Sequence, residues 1–123
     1  MSDIQAIESL IQEYFRSLYE GDVETVRALY HPACPLMCPT SEGVMTMTIP
    51  QYLEVVAGRL APKEAGHAPY GRIVSLDISG PETALVKVES AVPPRYFEDY
   101  LTLVKDQGAW KIAAKVYRIV REE

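Results

Sequence analysis

Few side chains in this sequence are placed to do chemistry, and the two most telling lie in strand-like runs near its end. Tyr96–Lys105 and Ala109–Tyr117 are rich in aromatic and β-branched residues, yet each holds a charge well away from the loop between them, Asp99 and Lys115. A charge inside such a run must be paired or solvated, so these two mark either a structural ion pair or the wall of a pocket. In a pocket wall Asp99 is a candidate general base or orienting acceptor, with Lys115 as a ligand-facing cation. His31 follows a helical stretch and precedes Pro32. It reads either as an acid/base group at a pocket mouth or as a cap on the helix end.

Tyrosine and methionine supply a second set of candidates. Eight tyrosines and one tryptophan offer an amphipathic lining suited to a planar ligand, with Tyr14, Tyr30, Tyr52 and Trp110 at plausible inward positions. Met37, Met45 and Met47 cluster on one short hairpin and suit either an adaptable apolar wall or gaps in a core. Cys34 and Cys38 alternate with Pro35 and Pro39. In an extended segment their Cα atoms fall about 13 Å apart, beyond disulfide reach. With His31 they give only three metal ligands, so reduced, packed thiols are expected and no metal.

The elements that must position these residues are legible. Ile4, Ile7, Leu10, Ile11, Tyr14 and Leu18 recur at helical spacing over residues 3–20, with Ser2 or Asp3 to cap the start and Gly21 to end it. Asp22 caps a second helix, Val23 to Tyr30. Two short strands follow, Leu36–Pro39 and Val44–Met47, and the prolines mark the first as an edge strand or a strongly bent one. Thr48 and Pro50 start a third helix that runs to Leu60. Tyr70–Ser79 and Thr83–Val92 form a hairpin around Gly80-Pro81-Glu82, and Pro93-Pro94 separates it from the last hairpin. The order predicts an α+β fold with an antiparallel sheet of about six strands, in one domain spanning residues 1–123.

The last hairpin turns at Asp106-Gln107-Gly108. A two-residue loop puts Gln107 at positive φ, so a three-residue loop with Gly108 closing a bulge is predicted. That register sets Asp99 directly opposite Lys115, between the pairs Phe97/Tyr117 and Leu101/Ala113.

Tyr19-Glu20-Gly21-Asp22, His31-Pro32, Gly71-Arg72-Ile73, Asp99-Tyr100-Leu101-Thr102-Leu103, Gly108-Ala109-Trp110-Lys111-Ile112 and Lys115-Val116-Tyr117, in this order of elements, resemble the nuclear transport factor 2-like superfamily. The nearer match is its branch named putative lumazine-binding, related to SnoaL-like and ketosteroid isomerase-like proteins. The resemblance covers essentially the whole chain. It implies a cone, a curved sheet wrapped over the three helices, with an apolar pocket open at one end. Relatives with this cone include isomerases, dehydratases, an epoxide hydrolase and polyketide cyclases, and others only bind or dimerise. No single enzyme's full set of acid/base groups maps onto this sequence.

Bulk properties narrow the functions. The chain has 123 residues, 48% of them hydrophobic and 24% charged, with a net charge of −5 and no basic run, which argues against a nucleic-acid surface. No apolar stretch is long enough to span a membrane, and Met1-Ser2-Asp3-Ile4 does not open a signal peptide, so a cytoplasmic protein is expected. Three uses compete: a binding domain that holds a small apolar or heteroaromatic molecule, a cofactor-free lyase or isomerase using Asp99 with His31 or a tyrosine hydroxyl, and a dimeric protein-interaction module using the sheet's outer face. Both faces of the last hairpin carry apolar residues, which predicts a homodimer built on the face that helices leave open.

Overall fold

The computed structural model describes residues 2–122. Met1 and Glu123, the ends of the expected domain, lie outside the described residues. Helix α1 (Asp3–Glu20) opens with a reciprocal cap in which the Gln5 amide donates to Ser2 Oγ while Gln5 Oε1 accepts from the Ser2 amide. Gly21 closes it at φ 68°, and a Cβ there would also press on Ala61. Asp22 caps α2 (Val23–Leu29) by accepting from the Thr25 amide and hydroxyl, and Thr48 with Gln51 caps α3 (Ile49–Gly58). These helices present Ile7, Ile11, Tyr14, Val26, Leu53 and Val56 to one core.

The strands are β1 (Leu36–Thr40), β2 (Gly43–Met47), β3 (Gly71–Ser79), β4 (Thr83–Val92), β5 (Arg95–Asp106) and β6 (Ala109–Glu122). They form one curved sheet in the order β2-β1-β6-β5-β4-β3. Four of the pairings are antiparallel, but β1 runs parallel to β6, with Leu36 beside Lys115 and Met37 beside Val116. The sheet is therefore mixed. Most of the fold separates these two strands in sequence, so no tight turn imposes their relative direction. Of the two readings of β1, as an edge strand or a strongly bent one, the edge position is excluded, since the edge is β2. Pairing with β6 covers only Leu36 and Met37, before Pro39, and the Pro35 carbonyl accepts from the Lys115 amide at 3.0 Å. The missing proline donors thus fall where that ladder makes no demand on them.

The last hairpin departs from its predicted turn. Asp106 pairs with Ala109, and Gln107 (φ 51°) and Gly108 (φ 82°) form a two-residue loop with both residues left-handed. That geometry matches the twist of the flanking strands, a gain that outweighs the modest strain at Gln107. The ladder is then offset four residues inward, where Leu103 pairs with Ile112 but Thr102 pairs with Ala114, leaving Ala113 as an extra residue. Without this bulge the turn would put Lys115 on the outer face. With it, Lys115 rejoins Asp99 on the inner face. Lys115 lies opposite Leu101 and Asp99 opposite Tyr117, so the two charges are diagonal neighbours and not the predicted direct pair.

Successive inward rows change character along the sheet. Ala84, Leu103 and Ile112 are apolar, as are Val86, Leu101 and Leu36 around Lys115. Val88, Asp99 and Tyr117 come next, then Ser90, Phe97 and Ile119. At the hairpin tip Trp110 Nε1 and Lys105 Nζ both donate to Asp3 Oδ1, at 3.1 and 3.0 Å, which ties the first turn of α1 to the sheet and lowers the Asp3 pKa. Gly71 begins β3 under the ring of Phe15, and a Cβ there would approach the ring to 2.5 Å. Among the described residues no helix is long and apolar enough to cross a membrane.

Candidate functional site

Asp99 is 1% exposed and its Oδ2 accepts two hydrogen bonds, from Tyr14 Oη at 2.7 Å and Ser90 Oγ at 2.9 Å. Tyr14 comes from α1 and Ser90 from the diagonal position on β4, so the carboxylate joins the longest helix to the sheet. Asp99 Oδ1 has no hydrogen-bond partner among the described residues, and neither has the buried Tyr30 hydroxyl. Such orphans are few in folded proteins, and each marks a buried polar group that packing alone does not satisfy.

Lys115 is 4% exposed and makes no ion pair among the described residues. Its Nζ lies 5.1, 5.0 and 4.9 Å from the ring centres of Tyr14, Tyr52 and Tyr117, and donates a long hydrogen bond, 3.4 Å, to the Tyr52 hydroxyl. Three ring faces hold the ammonium by cation–π attraction, worth about 0.5–2 kcal/mol each when water is excluded. Burial acts on the neighbours as well. It pushes the Tyr14 and Tyr30 phenols well above their ordinary range, Tyr117 to about 12 and the Cys34 thiol to about 11. These groups are neutral at physiological pH.

Beside this cluster the sheet and α3 part around a cavity of about 380 Å³. Its walls are mostly apolar, among them Leu18, Met45, Met47, Val55, Phe97 and Ile119, with Tyr52, Tyr117, Ser90 and Lys115 on the inner side. Arg59, just past the end of α3, and Arg95, at the start of β5, complete the polar part. The volume is at the small end of the roughly 300–1,000 Å³ typical of small-molecule sites.

The family model described as Putative lumazine-binding matches residues 2–118. The chain belongs to this family. Its fold is that of the nuclear transport factor 2-like proteins. A structure of such a protein of unknown function from Silicibacter pomeroyi superposes with a TM-score of 0.84 at 23% identity, covering 94% of each chain. One from Shewanella baltica, also of unknown function, gives 0.84 at 18% identity and covers 99% of each. A calcium/calmodulin-dependent kinase II association domain, so labelled provisionally, from Exiguobacterium sibiricum gives 0.71 at 16% identity over 100% of this chain and 97% of that one. At these identities the likeness shows the fold. No curated protein sequence matches the chain.

Within this member of the lumazine-binding family, the residues expected to form a site divide cleanly. Tyr52, Met45 and Lys115 line the cavity, and Tyr14 and Asp99 stand directly behind that lining. Tyr30 is a further layer back, its ring edge-on to Tyr52 at 5.9 Å. Three residues lie elsewhere. Met37 points from the outer face, 41% exposed, because β1 alternates and Leu36 and Cys38 take its inner side. Trp110 is committed to Asp3 at the far end of the sheet. His31 braces its own turn, where Nδ1 accepts from the Ala33 amide at 3.1 Å and Nε2 lies 3.8 Å from Asp106 Oδ2. Cys34 and Cys38 are both free and buried, and no group of metal-binding side chains occurs among the described residues.

Ser90 and Arg59 were missed. A signal for Ser90 exists, since it continues the inward alternation Val86, Val88 with a polar residue. Arg59 carries none, because helical periodicity does not say which flank of α3 meets a cavity.

Proposed function

We propose that this chain is a small-molecule-binding domain whose ligand, an apolar or heteroaromatic compound, occupies the cavity between α3 and the open end of the sheet. The observation that carries this reading is the cavity itself, with apolar side chains around most of it and the polar cluster of Tyr52, Ser90 and Lys115 along one wall. Acid/base catalysis on the same ligand has less support. It needs an acid and a base within about 2.6–3.2 Å of one reacting atom, whereas Asp99 stands behind the lining with Oδ2 already engaged and His31 is at the other end of the fold. Titration with the neutral fluorescent dye N-phenylnaphthylamine is expected to give saturable enhancement at one site per chain. Ile119→Trp, which fills the cavity from β6, is expected to weaken it by about tenfold or more with the circular dichroism unchanged. Dye binding that is unsaturable, or indifferent to Ile119→Trp, would remove the support.

A second copy of the chain is the partner proposed for the outer face. Met37, Val116 and Tyr100 form a continuous row across β1, β6 and β5, each 41–48% exposed, with Leu85 nearby on β4. The ion pairs Arg118–Glu98 and Arg72–Glu89 flank this patch. An apolar centre with a charged rim is the usual anatomy of an interface between like subunits. Light scattering is expected to report a dimer at micromolar concentration and a monomer for Tyr100→Lys. A monomeric wild type overturns the assignment.

A further inference from the structure

The charge of the cavity runs against the charge of the chain. The whole sequence carries −5, yet among the described residues the cavity walls hold Lys115, Arg59 and Arg95 and not one Asp or Glu. Arg95 reaches only the exposed Glu122, at 3.9 Å, and Lys115 and Arg59 make no ion pair among the described residues. Asp99 is the one buried acid described, and it turns Oδ2 toward Tyr14 and Ser90, with no contact to Lys115 within salt-bridge distance. Even with Asp99 counted against one of the three cations, the walls remain positive.

Lys115 sharpens the point. An ammonium has three donors, and this one satisfies a single long contact, to the Tyr52 hydroxyl. The ring faces around it attract positive charge but accept no conventional hydrogen bond. A buried cation with donors to spare and open cavity in front of it is arranged for an acceptor that arrives with the ligand. Arg59, half-buried on the flank of α3, offers a second, planar donor set to the same space.

We infer that the cavity selects a carboxylate-bearing ligand, an apolar or aromatic body against Met45, Met47, Phe97 and Ile119 with its anionic group held by Lys115 and Arg59. This rests on the binding function proposed above and adds the ligand's charge. Phosphate esters fit less well, because the polar lining is made of side chains, Lys115, Arg59 and Arg95 with Ser90, Thr40, Tyr52 and Tyr117, and the first residues of no helix are among it.

The test compares two probes of the same shape, cinnamate and its neutral amide cinnamamide, by isothermal titration calorimetry near neutral pH. Cinnamate is expected to bind about tenfold or more tighter than cinnamamide. Lys115→Met and Arg59→Gln are each expected to weaken cinnamate binding more than cinnamamide binding and so to erase most of that preference. Arg59→Gln changes a half-buried helix end, so it reads out even where the buried Lys115→Met fails to fold. Equal affinity for the two probes, or a preference unchanged in Arg59→Gln, overturns the charge assignment and leaves the cavity as a neutral binding site. Failure of both probes to bind at about 1 mM overturns the binding function and this inference with it.

Discussion

Asp99→Ala is expected to lower the unfolding free energy by about 3–5 kcal/mol, the cost of losing two buried hydrogen bonds to one carboxylate. Two buried hydroxyls, Tyr14 Oη and Ser90 Oγ, lose their shared acceptor, and Lys115 loses the one buried opposite charge described in the fold. Each orphaned group costs about 1–3 kcal/mol. Tyr14→Phe removes one of those donors and is expected to cost about 1.5–3 kcal/mol, with the double variant less destabilised than the two effects combined, because they share one hydrogen bond. Asp99→Ala with Lys115→Met is expected to regain part of the loss, since the uncompensated ammonium goes too. Glu122→Ala, at an exposed strand end, is the reference and should stay within about 0.5 kcal/mol of wild type. Urea denaturation measures all five variants. An Asp99→Ala loss no larger than that of Glu122→Ala would show that the cluster does not hold α1 to the sheet.

The second large effect appears in alkali. Burial holds the Tyr14 and Tyr30 phenols well above their ordinary value of 10.0 and the Cys34 thiol at about 11. A group whose pKa is raised by folding contributes stability that is complete below its unfolded pKa and is lost as pH climbs toward its folded one. Stability should therefore hold level through neutral pH and begin to fall as the unfolded thiol and then the unfolded phenols ionise. Each group contributes at most about 1.4 kcal/mol per pH unit, so the slope builds toward about 3 kcal/mol per pH unit between pH 10 and 11, where Cys34 begins to ionise in the fold as well. Against a typical total of about 5–15 kcal/mol, cooperative unfolding should follow within one or two further units. Tyr30→Phe should reduce the slope by one group. At neutral pH it should cost little, because the Tyr30 hydroxyl accepts and donates no well-formed hydrogen bond among the described residues. Urea midpoints that stay constant to pH 11.5 would contradict the burial of these groups.

The amino-acid sequence by itself determined the elements and their order. Capping residues, Gly21, helical spacing in α1 and α3, and the β-prone runs that become β4 and β5 are local signals, and each is read within a few residues of where it acts. The same locality put Asp99 and Lys115 inside strands and marked them as unusual. Only the tertiary structure decided what surrounds them. The Gln107-Gly108 turn and the Ala113 bulge each shift the register by one, and their sum, not either alone, returns Lys115 to the inner face. Such bulges answer to the curvature of the whole sheet, which no window of sequence contains. The bond from Tyr14 to Asp99 spans 85 residues, and the convergence of Ser90, Arg59 and Lys115 on one cavity joins three elements. Parallel pairing of β1 with β6 was decided in the same way, because side-chain periodicity sets which face a residue occupies but not which strand lies beside it or in what direction.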